Sequence, residues 1–156
     1  MTKVMIRTTK GNIKIELFDD KTPNTVRNFL DLVKRGFYNG LKFHRVIADF
    51  MIQGGCSIGN GTGGHPDGIS NECEIRPDVK HQRGSLAMAH AGTCEHDKGT
   101  GKKISGRCSN GAQFYITHKA TSWLDGVHTV FGQVIEGQDV VDAIQKGDVI
   151  NEIVIL

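Results

Sequence analysis

Phe43-His44-Arg45-Val46-Ile47-Ala48-Asp49-Phe50-Met51-Ile52-Gln53-Gly54-Gly55 is a mostly apolar run with one central cation, Arg45. Over Phe43–Ile52 it suits a strand or two short strands, and the two glycines end it. Upstream, Val4–Thr8 and Asn12–Phe18 alternate apolar and polar side chains around Thr9-Lys10-Gly11. That pattern predicts an antiparallel hairpin with one face toward a core. Thr22 before Pro23 gives an N-cap followed by proline at the first helical position. Val26, Phe29, Leu30 and Val33 recur at helical spacing and Gly36 ends the pattern, so a helix is predicted over Pro23–Arg35. Downstream, Gln53–Gly68 is a glycine-rich loop. Gly84–Ala91, Gln113–Thr117, Val130–Val134 and Val149–Ile155 read as strands, Gln138–Gln145 as a short helix, and 92–110 as polar and turn-rich. Many short strands with two helices predict a mostly-β domain, barrel or sandwich.

A length of 156 residues suits one domain spanning 1–156, able to bury about two-thirds of its unfolded surface. The net charge of +2, with no run of five like charges, gives no footprint for nucleic acid. No 18 consecutive residues are apolar, so no membrane span is expected, and the first 18 residues lack the apolar core of a signal peptide. The expected location is cytoplasmic. The cysteines at 56, 73, 94 and 108 are then expected as free thiols or metal ligands rather than as structural disulfides. Neither a Gly-x-Ser-x-Gly elbow nor His-Glu-x-x-His is present, which removes the usual sequence support for a serine hydrolase or a zinc hydrolase.

Three segments together resemble the cyclophilin family. They are Phe43–Gly55; Gly84-Ser85-Leu86-Ala87-Met88-Ala89; and Gly111-Ala112-Gln113-Phe114-Tyr115-Ile116-Thr117, followed by Trp123-Leu124-Asp125-Gly126-Val127-His128 and Val130-Phe131-Gly132. Their order and spacing match, and the similarity runs from the first strand to the last. The resemblance implies an eight-stranded antiparallel closed β-barrel capped by two α-helices. It implies a peptidyl-prolyl cis–trans isomerase that assists protein folding, needs no cofactor, acts on proline-containing polypeptides and binds cyclosporin-type cyclic peptides. A monomer is the default state.

The resemblance also assigns candidate residues. Arg45 is the candidate catalytic cation, with Gln53 positioning it or binding substrate backbone. Phe50, Met51, Tyr115, Leu124 and His128 match the proline pocket. Gly61, Ala89, His90, Ala91 and Gln113 match the groove for flanking backbone, and Trp123 its edge. From spacing alone Arg45 reads as a surface charge on an alternating strand, and Phe50, Met51 and Leu124 as plain core. A binding module that turns substrate over slowly is the second reading; the intact Arg45, Phe50, Met51, Gln53 and His128 favour the enzyme.

Four features depart from the family pattern. His90 stands where Asn is common, Tyr115 where Phe is common, and Cys56 where Asp is common; the Tyr115 hydroxyl needs a partner if buried. The fourth is the loop over Thr93–Ser109, TCEHDKGTGKKISGRCS, which compact members cross in a few residues. Its ends are expected near one another, with Cys94 facing Cys108. Three readings stay open: a zinc site of Cys94, His96, Cys108 and a fourth ligand such as His90; a reversible disulfide; or two free cysteines on an exposed rim. Cys56 and Cys73 are expected as small buried residues. Lys98, Lys102, Lys103 and Arg107 make the loop locally basic, diluted by Glu95 and Asp97.

Overall fold

The alternation in the first twenty residues becomes a hairpin. In the computed structural model, which describes residues 1–90, 92–97 and 99–156, β1 (Lys3–Thr8) pairs antiparallel with β2 (Gly11–Leu17). Ile6 lies opposite Ile13 and Val4 opposite Ile15, and all four are fully buried. The period-two pattern thus delivers one apolar face, as a half-buried strand pair requires.

Helix α1 (Pro23–Lys34) buries Val26, Phe29, Leu32 and Val33. Thr22 does not cap it. Its hydroxyl donates to the Phe18 carbonyl at 3.0 Å. The orphan N–H groups of the first turn are met instead by the Glu74 carboxylate, which accepts from the Thr25 N–H at 2.6 Å and the Thr25 hydroxyl at 2.7 Å. An anion at a helix N-terminus is also favoured by the helix dipole.

The stretch Phe43–Ile52 folds as two strands, β3 (Phe43–Ile47) and β4 (Met51–Gly54). Asp49, at φ 56°, makes the turn between them, in a region that Asp tolerates better than most residues. The order continues with β5 (Ser85–His90), β6 (Glu95–His96), β7 (Lys103–Ser105), β8 (Asn110–Thr117), a 3-10 turn at Ser122–Leu124, β9 (Val130–Glu136), α2 (Gln138–Ala143) and β10 (Ile150–Ile155). Helix α2 is two residues shorter than the periodicity predicted, and β8 and β9 are longer.

Eight strands form one antiparallel sheet in the order β10-β1-β2-β9-β5-β8-β4-β3. The expected mostly-β architecture with two helices is present, but its closure is incomplete. Edge strands β3 and β10 share no ladder. They are laced at one end only, through the Lys42–Val149 bridge and the Phe43 N–H to Asp148 carbonyl bond of 2.9 Å. The concave face is filled by branched aliphatics and by rings gathered around Phe29. Its ring stands 5.3 Å from Tyr38, 5.9 Å from Phe114 and 5.3 Å from Phe131. Helix α1 therefore plugs the sheet's interior. The Tyr38 hydroxyl, buried among these rings, donates to the Ala112 carbonyl at 2.8 Å.

Candidate active site

A second apolar cluster lies on the other face of the same strands. Along the ladder Arg45 stands opposite Gln53, Gln53 opposite Tyr115, and Tyr115 opposite Ala87. Residues opposite one another in a sheet share a face, so these four form one row across β3, β4, β8 and β5. Their neighbours Ile52, Ile116 and Leu86 form the adjacent row, which points into the core. Met51, Ala87, Tyr115 and Val130 make the outer cluster, with Phe18, Phe50, Val79, Ala89 and Leu124 packed against it.

This outer row opens as a pocket of about 250 Å³ lined by Arg45, Phe50, Met51, Gln53, Ala89, His90, Tyr115, Leu124 and His128. Its floor is buried: Met51 is 2% and Tyr115 4% exposed. Arg45 is exposed at its mouth. A chain of donors fixes the polar side. The Arg45 guanidinium donates to Gln53 Oε1 at 3.4 Å, and Gln53 Nε2 donates to Gln113 Oε1 at 3.1 Å. Gln113 Nε2 in turn donates to the carbonyls of Gly61 and Gly63, at 2.9 and 2.7 Å.

Gln53, Ala89 and His90 also border a second hollow of about 280 Å³, lined further by Gly61, Thr62, Gly63, Gly64, Ser109, Gly111, Ala112 and Gln113. The two hollows form one groove. The sulfur of Cys56 organises its glycine wall, accepting N–H bonds from Gly59, Gly61 and Gly63 at 3.3, 3.3 and 3.1 Å. Burial opposes ionisation of this thiol, but the N–H donors outweigh it and lower its pKa. Cys56 is thus buried as expected and also carries the polar task of an acceptor.

The Tyr115 hydroxyl has its partner. It donates to His81 Nε2 at 2.7 Å, and His81 Nδ1–H donates to Asp125 Oδ1 at 2.8 Å. The His81 side chain is fully buried. Burial lowers its pKa against the opposing pull of Asp125, so the ring stays neutral and the tautomer follows from its two partners. His128 stands edge-on to Tyr115, with ring centroids 5.4 Å apart, and its Nδ1 donates to the Met88 carbonyl at 3.0 Å. Burial, with the nearby His90 and His81 rings, pushes its pKa down to about 4, so it presents a neutral Nε2. His90 packs 4.6 Å from His128 and spends both nitrogens on backbone, accepting from the Gly92 N–H and donating to the Val127 carbonyl. Trp123 does not line the pocket. It lies 56% exposed beside Phe50, with ring centroids 5.7 Å apart, and forms an outer rim.

The predicted pocket residues are therefore brought together, and Ala91 lies outside the described residues, as does Lys98. Sequence reading missed Thr62, Gly63, Gly64, Ser109 and Gly111 in the groove. It also missed His81 and Asp125, which are 44 residues apart and joined only by folding.

Residues 3–155 match the family described as "Cyclophilin type peptidyl-prolyl cis-trans isomerase/CLD". The chain belongs to the cyclophilin family. A peptidyl-prolyl cis-trans isomerase of Helicobacter pylori (strain ATCC 700392 / 26695) is 47% identical over 151 residues, 96% of this chain and 83% of that protein. The human peptidyl-prolyl cis-trans isomerase-like 1 is 43% identical over 143 residues, 90% of this chain and 78% of that protein. A crystal structure of a Cryptosporidium parvum cyclophilin type peptidyl-prolyl cis-trans isomerase superposes with a TM-score of 0.85 at 33% identity, covering 99% of this chain and 97% of that one. The chain is thus an enzyme of the peptidyl-prolyl cis–trans isomerase class, built on a cyclophilin sheet.

One further cluster lies apart from this cyclophilin pocket. Cys73, Cys94, His96 and Cys108 hold their donor atoms within 4.8 Å of one another. Two expectations are corrected by it. Cys73 is half-buried rather than a small core residue, and it takes the place proposed for His90, whose nitrogens are occupied. Cys94 and Cys108 do face one another, and both are free thiols.

Proposed function

We propose that residues 1–156 act as one isomerase domain that rotates Xaa–Pro peptide bonds in polypeptides, with Arg45 as the catalytic group. Amide resonance sets a barrier of about 18–20 kcal/mol to this rotation. As the bond twists, resonance is lost, the prolyl nitrogen becomes pyramidal and its lone pair becomes a hydrogen-bond acceptor. A guanidinium N–H at that nitrogen stabilises the twisted state and has no matching acceptor in either planar state. That differential binding is what lowers a barrier. The proline ring sits in the pocket of Phe50, Met51, Leu124, Tyr115 and His128, which holds one side of the bond while the preceding carbonyl turns.

Gln53 aims Arg45 and is itself aimed by Gln113, so the donor is set before substrate arrives. Gly61, Ala89, His90 and Gln113 hold the flanking backbone, and Trp123 with Phe50 forms the rim that a cyclosporin-type cyclic peptide covers. The rotation breaks no covalent bond and transfers no group, so it proceeds without a cofactor. The protein works as a cytoplasmic monomer that assists the folding of proline-containing chains.

The observation that carries this reading is the single pocket formed by Arg45, Phe50, Met51, Gln53, Leu124 and His128. The test is cis–trans exchange of a short Ala-Pro-Phe-type peptide, followed by NMR with wild type and Arg45→Ala in parallel. Wild type is expected to exchange the peptide fast. Arg45→Ala is expected to lose at least about tenfold in rate, roughly 1.4 kcal/mol of transition-state stabilisation. Folded wild type that leaves the exchange at its uncatalysed rate overturns the proposal and leaves a proline-peptide binding module.

A further inference from the structure

The 93–109 loop has no hydrophobic core of its own. None of its described residues is buried, none joins either apolar cluster, and Ile104 is 66% exposed. Among its described residues the only regular structure is the ribbon of β6 and β7, two and three residues long. A ribbon that short is marginal without packing. Apart from Gly101, Cys94, His96 and Cys108 are the only described residues of this loop that are half-buried rather than exposed. Three potential metal donors occupy the inward positions where a small loop would ordinarily place aliphatic residues.

The fourth donor arrives from another segment. Asn71 pairs with Asn110 in an isolated bridge, its N–H donating to the Asn110 carbonyl at 2.7 Å, which sets Cys73 against the end of the loop. Thr93 N–H donates to the Arg107 carbonyl at 2.9 Å and closes the loop's mouth. At the ribbon tip Gly101, at φ +79°, packs so closely on the Ile75 carbonyl that a Cβ would collide with it.

We propose that Cys73, Cys94, His96 and Cys108 form a tetrahedral zinc site that fastens the 93–109 loop to the Ser70–Glu74 segment. Tetrahedral zinc, with Zn–S near 2.3 Å and Zn–N near 2.0–2.1 Å, sets two sulfurs roughly 3.8 Å apart and a sulfur and a nitrogen roughly 3.6 Å apart. Cys73 Sγ stands 3.7 Å from Cys94 Sγ, and Cys108 Sγ 3.5 Å from His96 Nε2. Two of the six donor–donor distances thus already match edges of that tetrahedron, and all six lie within 4.8 Å. The surrounding shell fits as well. His96 Nδ1 donates to the Gly101 carbonyl at 3.3 Å, which leaves the Nε2 lone pair toward the cluster. Asn110 Nδ2 donates to Cys73 Sγ at 3.2 Å, a bond that favours the thiolate a metal requires. Three sulfurs and one imidazole suit zinc better than the oxygen-seeking divalent ions.

The site is structural. All four positions are protein side chains, so no coordination place is left for a water or a substrate. It secures the strand end at Ser109–Gly111, which borders the substrate groove, while the Arg45 pocket is assembled independently on the sheet.

The test is a cobalt titration of the reduced full-length chain. Bound at a tetrahedral thiolate site, Co²⁺ is expected to give near-ultraviolet thiolate-to-cobalt charge-transfer and visible ligand-field bands. Both should saturate at one cobalt per chain and be bleached by one equivalent of zinc. Cys108→Ser, removing one of three thiolates, is expected to lower the charge-transfer intensity by about a third. His96→Ala should shift the ligand-field bands, whereas His90→Asn should leave them unchanged. Absence of the bands in reduced wild type overturns the proposal, as does a spectrum unaltered in both Cys73→Ser and Cys108→Ser. Because the readout needs no isomerase assay, it stands or falls separately from the role of Arg45.

Discussion

Replacing Tyr115 with Phe removes one oxygen from beneath the pocket and tests the buried relay Tyr115–His81–Asp125. The ring stays, so its contact with His128 and the apolar floor persist. What is lost is the 2.7 Å bond to His81 Nε2, in a place where the histidine side chain has no solvent access. His81 cannot compensate by turning, because Asp125 accepts from both its Nδ1 and its backbone N–H, at 2.8 and 2.7 Å. A buried acceptor left unpaired costs about 1–3 kcal/mol. For a chain of this length about 2 kcal/mol lowers the melting temperature by roughly 4–8 °C. Urea midpoints and calorimetry on wild type, Tyr115→Phe, His81→Leu and the double variant close the cycle. If the two groups need one another, the double variant is less destabilised than the sum of the singles by on the order of 1 kcal/mol. A Tyr115→Phe protein within about 0.5 kcal/mol of wild type, or strictly additive singles, would refute the reasoning.

Acid should destabilise the protein well above the carboxylate range. His128 binds its proton at about 4 when folded and near 6.5 when unfolded, so the unfolded state holds more protons between those values. Stability is then full above about pH 6.5 and falls toward pH 4 by about 3 kcal/mol from this residue alone, with His81 adding in the same direction. Urea midpoints across that range check it, and His128→Gln should flatten the slope. Phe29→Ala opens a cavity among Tyr38, Phe114 and Phe131; a loss of about 3–5 kcal/mol is expected by denaturant unfolding. Glu74→Gln keeps the shape of the remote helix cap but removes its charge from the α1 N-terminus. A loss of about 0.5–2 kcal/mol is expected, read from urea midpoints, with Thr22→Ala removing only the bond to Phe18 and no cap.

Local patterns were legible where one face of an element meets one environment. The Val4–Phe18 alternation gave the hairpin, and Val26, Phe29 and Val33 gave the helix, because each periodicity records a single buried face. The helix cap was misassigned for a physical reason: Thr22 has the right chemistry, but Glu74, about fifty residues away, outcompetes it with a full charge. The active-site row was harder to see. Arg45, Gln53, Tyr115 and Ala87 lie on four strands, and only the register sets them opposite one another. The family motifs selected residues that line one pocket, without showing that they sit on the outer face of the sheet. Partners that never touch in sequence had no local signal at all. His81 and Asp125 were missed on that account, and Cys73 was taken for a core residue.

By itself, then, the sequence determined the two helices and the strands of the main sheet, the family and most of the side chains that line the pocket, but not the β6–β7 ribbon. These follow from periodicity and from contiguous motifs, both of which are local. Tertiary structure alone decided which face of the sheet carries the pocket, how nearly the barrel closes, what satisfies the Tyr115 hydroxyl, and which fourth side chain joins Cys94, His96 and Cys108. Each depends on strand register or on contacts between segments distant along the chain, and such contacts leave no periodic trace in the order of residues.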